Sequence, residues 1–163
     1  MLRASGSDGP PTAPTRFRRV LIPLDGTPRA EAIIDDAISV GGLEATYVLA
    51  RIVAPLPPAN SGFVAPFPMS AMPTDVVATE AALNDAQEYL REVAAGMVAK
   101  GATHVEQVAG VSDDAAEAIL AQRADLIAIA SHGRGTSRFV LGSLTDKLLK
   151  NCVTPLLVKR VRA

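Results

Sequence analysis

The residue types best suited to chemistry in this chain gather near its C-terminal end. Leu126 to Ala130 is a short apolar run without polar alternation, too short for a helix, and it predicts a buried strand. A polar loop, Ser131 to Leu141, follows with Gly133 and Gly135, and Gly142-Ser143 then stands directly before a helical pattern with Leu144, Leu148 and Leu149 on one side. Strand, glycine loop and helix start together make an anion site. A helix N-terminus presents unpaired N–H groups and roughly half a positive charge, and glycines let a phosphate approach the backbone closely. Ser143 can cap that helix or hold a phosphate oxygen. Arg134 and Arg138 carry forks that suit phosphate oxygens, although solvated loop charges account for them equally well.

A second constellation lies far upstream. Val20, Leu21, Ile22 and Leu24 predict a first strand ending at Asp25-Gly26-Thr27-Pro28. An acid at the C-terminal end of a parallel strand faces the crevice where open α/β sheets bind ligands, and it can accept hydrogen bonds from ribose hydroxyls or an adenine amino group. Asp25 or Thr27 can instead cap the next helix, with Pro28 in its first turn. Both hold together if Thr27 caps and leaves Asp25 free.

Other chemistries are poorly supplied. There is no Gly-x4-Gly-Lys-Ser/Thr loop and no Gly-x-Gly-x-x-Gly after the first strand, which argues against a P-loop NTPase and a dinucleotide enzyme. Metal-ligand spacing is absent, and Asp113 with Asp114 suits the first turn of a helix better than a metal pair. His132 has no cysteine or placed acid beside it in sequence and reads as a loop-bonding imidazole rather than a catalyst. Cys152 excludes an intrachain disulfide, fits a reducing compartment and reads as a small packed residue. Neither Glu106 nor His104 has a convincing partner.

At 163 residues the chain suits one domain with a sizeable core. A net charge of -1 exerts no global pull toward nucleic acid or an anionic membrane. No apolar run reaches the ~18 residues of a membrane span, and the N-terminal stretch lacks the apolar centre of a secretory signal, so a cytoplasmic protein is expected.

The elements that must position these residues alternate strand and helix. Residues 1–15, rich in Gly, Pro, Ser and Thr, predict a disordered tail before the domain of 16–163. Arg16, Arg18 and Arg19 flank the first strand. Arg29 to Val40 predicts one helix with Ala32, Ile33, Ala37 and Val40 inward, stopped by Gly41-Gly42. Ala45 to Val53 is a second strand. Residues 54–74 hold six prolines and predict a long loop, a lid or contact surface as readily as local disorder. Asp75 to Lys100 is the longest helical pattern, with Ala82, Tyr89, Leu90, Val93, Met97 and Val98 as its stripe. Val105 to Ala109 is a third strand, Ser112 caps a short helix with Ala115, Ala116, Ile119 and Leu120 inward, and Leu156 to Val161 is the fifth strand. Alternation of this kind is the mark of a doubly wound parallel sheet.

Two stretches resemble the universal stress protein family. VLIPLDGTPRA is similar to its N-terminal signature, and the glycine loop is similar to its C-terminal one, Gly-x-x-Gly, nine residues, then Gly-Ser or Gly-Thr. Here Ala130 stands at the first glycine, Gly133 is the second, and eight residues precede Gly142-Ser143. The shortening falls on residues 134–141, so the resemblance carries over most directly at Gly133, Gly142 and Ser143. It covers the chain past Arg19 except the proline-rich loop.

The resemblance implies strand order 3-2-1-4-5, which sets the ends of strands one and four side by side. It implies an adenine-nucleotide site, for ATP with Mg²⁺ as its usual companion, built from Pro23, Leu24, Asp25, Ile52, Val53, Ala130, His132, Gly133, Arg134, Gly142, Ser143, Leu144 and Thr145. It also implies a homodimer through the last strand, an exposed edge with an apolar core. The function expected is a nucleotide-binding stress-response module. The alternatives are a dimeric interaction module that no longer binds nucleotide and a slow ATPase, which lacks an identifiable base to orient water.

Overall fold

The computed structural model describes residues 17–55, 74–131 and 143–161, with side chains from residue 78 onward in the second segment. The expected tail over 1–15 and most of the proline-rich loop lie outside the described residues. Five strands, β1 (Arg19–Pro23), β2 (Thr46–Val53), β3 (His104–Val111), β4 (Leu126–Ser131) and β5 (Leu156–Arg160), pair in parallel in the order β3-β2-β1-β4-β5. The helices are α1 (Pro28–Glu31), α2 (Ile34–Gly41), α3 (Thr74–Ala99), α4 (Ala115–Leu120) and α5 (Ser143–Asn151).

Central strands of a doubly wound sheet are covered on both faces, which is why β1 and β4 read as unbroken apolar runs. Successive side chains alternate between two cores. Val20, Ile22, Tyr47, Leu49 and Ala128 meet Ile33 and Ala37 of the α2 segment and Leu90 and Met97 of α3. On the other face Leu21, Val48, Ile127 and Ile129 meet Ala116 and Ile119 of α4 and Leu148 of α5. Each fully buried Leu, Ile or Val contributes about 1.5–3 kcal/mol relative to exposure, so these two layers hold the sheet.

The helix expected over 29–40 is broken. α1 ends at Glu31, Ala32 and Ile33 turn, and α2 begins at Ile34. Its inward face is Ile33, Ile34 and Ala37, whereas Val40 is exposed. The stop is as expected: Gly42, at φ +80°, donates its N–H to the Ile38 carbonyl at 2.8 Å, a conformation costly for any side chain. Beside it the Tyr47 hydroxyl donates to the Gly42 carbonyl at 2.6 Å. A Cβ on Gly41 would lie 2.7 Å from that hydroxyl, so the pair of glycines is needed by both turn and packing.

Three smaller expectations are corrected. Val98 of α3 points to water, and the buried stripe is Ala86, Leu90, Ala94 and Met97. The cap of α4 is Asp114, whose carboxylate accepts from the Ala116 and Glu117 N–H groups, while the Ser112 hydroxyl accepts from the Asp114 N–H. Glu106 does have a partner: Arg19 grips it with two parallel bonds, of 3.1 and 2.8 Å, across the intervening strand β2.

Candidate functional site

β1 and β4 are neighbours over only part of their length, paired at Val20 with Leu126 and at Leu21 with Ile127. The reason is in the sequence. Leu24 turns its N–H toward β2, donating to the Ala50 carbonyl at 2.8 Å. By the alternation of a strand, Pro23 therefore faces β4 and has no N–H to give. The ladder stops there, at the point where the winding of the sheet reverses, and the strand ends part.

The gap is a cleft of about 240 Å³. Pro23, Leu24 and Asp25 enter it from β1 and the turn after it, with Ala30 of α1 behind them. Ala50 and Ile52 of β2 form one wall, and Ala115 and Ile119 of α4 another. Ile129, Ala130 and Ser131 come from β4, and Ser143, Leu144 and Thr145 open α5 at the mouth. The first N–H groups of α5, whose residues line the cleft, have no partner within the helix itself.

Of the residues expected at a site, Pro23, Leu24, Asp25, Ile52, Ala130, Ser143, Leu144 and Thr145 are thus brought together. Val53 ends β2 half-buried and is not among the lining residues. His132, Gly133, Arg134 and Gly142 lie outside the described residues. Sequence reasoning missed Ala30, Ala50, Ala115, Ile119, Ile129 and Ser131. Ala115 and Ile119 were legible only as core, one helical turn apart; that this face of α4 also borders a cleft is a consequence of the topology.

Asp25 is not wholly free. Its Oδ1 accepts from the Thr27 N–H at 2.9 Å and from the Thr27 hydroxyl at 2.6 Å. Thr27 in turn caps α1, its oxygen accepting from the Ala30 N–H at 3.3 Å. One carboxylate oxygen therefore holds the turn, and Oδ2 has no hydrogen-bond partner among the described residues. At the rim, Lys147 of α5 donates to Asp114 Oδ2 at 3.1 Å. That contact, helped by the Glu117 and Ala116 N–H groups, holds the Asp114 carboxyl below its ordinary range.

The cleft therefore offers apolar walls, one acid with an open oxygen, a small floor at Ala130 and a helix N-terminus. Among the described residues no group of His, Cys, Asp and Glu is placed to hold a metal, and no described helix is long and apolar enough to cross a membrane.

Comparison with known proteins is consistent with this architecture. A universal stress protein from Lactobacillus plantarum, UspA, superposes with a TM-score of 0.68 at 18% identity, covering 90% of this chain and 99% of its own. A member of the family from Burkholderia pseudomallei does so at 0.61 and 22% identity, covering 88% and 96%. A universal stress protein crystallised in complex with cAMP does so at 0.58 and 20% identity, covering 90% and 98%. No protein of curated description matches the chain. The sequence model of the universal stress protein family matches residues 16–160, and with nearly the whole domain matched, the chain belongs to that family.

Proposed function

We propose that this protein binds an adenine nucleotide, ATP foremost, in the cleft between β1 and β4, and that it serves as a stress-response regulatory module rather than a catalyst. The observation that carries the reading is the convergence of Asp25, Ala130 and Ser143 on one cleft from segments far apart in sequence. The groups present suit the parts of such a ligand. Leu24, Ile52 and Ile119 suit a planar base, Asp25 Oδ2 suits ribose hydroxyls or an exocyclic amine, and the start of α5 suits phosphate. His132, Gly133, Arg134 and Gly142 would complete the phosphate side, with Val53 beyond the base. Mg²⁺ would arrive with the triphosphate. That a structural neighbour is described with cAMP agrees with an adenine ligand in this fold.

The test is calorimetric titration of the purified protein with ATP and Mg²⁺, preceded by denaturing a sample to look for carried nucleotide. Micromolar binding or co-purified adenine nucleotide is the expected result. Neither would mean that the cleft is empty in function, and the chain would then be a dimeric interaction module.

We also assign the homodimer to the outer edge of β5. The sheet order leaves that strand at an edge, and Val153, just before it, is 99% exposed. A monomeric mass by light scattering at all accessible concentrations would remove this assignment.

A further inference from the structure

Arg51 precedes Ile52 in β2 and so projects to the face of the sheet opposite that cleft residue. Its guanidinium, on a half-buried side chain, rests against two neighbours. Cζ lies 5.0 Å from the centre of the Tyr89 ring of α3. The guanidinium also lies against Gly26, where a Cβ would come within 2.8 Å of a terminal nitrogen. Gly26 has φ +87°, a conformation that disfavours any side chain, and a Cβ there would also have to displace the end of the arginine. The Tyr89 hydroxyl continues the cluster, donating to Glu31 Oε1 at 3.0 Å. Glu31 bonded to the Tyr89 hydroxyl and Arg51 over the Tyr89 ring bring an acid and a cation together, with the guanidinium against Gly26, the residue that follows Asp25 in the Asp25–Thr27 turn.

We infer that Arg51 is a positioning residue for Asp25: wedged between Tyr89 and Gly26, it fixes the direction of the Asp25–Thr27 turn and offsets the acid's charge toward an anionic ligand, so that nucleotides bearing ribose hydroxyls are selected. This rests on the nucleotide reading above. An acid beside a polyphosphate repels it unless a cation lies close by, and planar contact with a ring and a backbone suits arginine better than lysine. Arg51 acts from behind the acid, since it is not among the residues lining the cleft.

The test titrates the full chain, Arg51→Gln, Asp25→Asn and the double variant with ATP and with 2′,3′-dideoxy-ATP. The unaltered protein should prefer ATP. R51Q should lose about tenfold in ATP affinity together with most of the ribose preference, and the double variant should bind no worse than D25N, as expected of residues that act through one another. Should R51Q fail to fold, Tyr89→Leu removes the ring the guanidinium rests on and carries the same expectation. No binding by the unaltered protein would overturn the nucleotide reading and this inference together. Binding without ribose preference, an unchanged ratio in R51Q, or additive losses in the double variant would overturn the inference alone.

Discussion

Lys159 of β5 reaches the carbonyl of Ala32, where α1 has ended and α2 has not begun, and donates to it at 2.8 Å. The same ammonium pairs with Asp36 of α2 at 2.6 Å. A helix break strands a carbonyl, and here a residue from the far end of the chain satisfies it. The edge strand is thereby tied to the helix whose Ala30 backs the cleft.

The carbonyl bond should matter more than the ion pair, because both side chains of the pair are about half exposed even though Asp36 Oδ2 itself is buried. Lys159→Met should cost about 1 kcal/mol, read as a lower urea midpoint with an unchanged slope. Asp36→Asn should cost only a few tenths of a kcal/mol. Equal losses in the two variants would show that the ion pair carries the link.

A pH dependence follows from Asp114. Its folded carboxyl is depressed, chiefly by Lys147, so the stability it contributes is present above the unfolded pKa of about 3.9 and is lost as pH falls through the lower folded value. Asn caps a helix about as well as Asp, so Asp114→Asn isolates the charge. The unaltered protein should melt higher than D114N at neutral pH, and the gap should close toward pH ~2–3. A gap that persists in acid would mean the cap, not the charge, sets the difference.

The contrast between α2 and β4 shows what the sequence could and could not reveal. Leu126 to Ala130 has one reading, because an unbroken apolar run of that length fits only a strand covered on both faces. The α1–α2 break has no local signal: neither Gly nor Pro falls between Arg29 and Val40, and the partner that satisfies Ala32 is 127 residues away. The cap of α4 was ambiguous for the opposite reason, with Ser112, Asp113 and Asp114 all competent in succession. Glu106 had no visible partner because Arg19 is its neighbour only once β2 lies between their strands. At the site, Asp25 and Ser143 were marked by residue type and by position at element ends. Ala115 and Ile119 carry no chemistry of their own and become lining only through the winding of the sheet.

Those two residues make the cleft testable independently of its polar groups. Ala115 is half-buried at the first residue of α4 and borders the cleft. Ala115→Phe should fill that wall, leave folding stability within about 1 kcal/mol and lower ATP affinity more than about tenfold. Unchanged affinity in a folded A115F would place the ligand elsewhere.

The chain's two tyrosines offer an optical report on both sides of one core layer. Tyr47 is fully buried, which raises its phenol above the ordinary value of 10.0. Tyr89 is raised further, first by burial and then by the hydrogen bond to Glu31 and that residue's charge. The native state therefore keeps both protons at pH values where the unfolded chain releases them. Stability from these groups is complete below about pH 10 and falls as pH rises through the folded values. In an alkaline titration, phenolate absorbance should appear in step with the loss of the far-ultraviolet helix signal. Phenolate appearing near pH ~10 with the helix signal intact would show that at least one ring is solvated, and Tyr89→Phe would identify which.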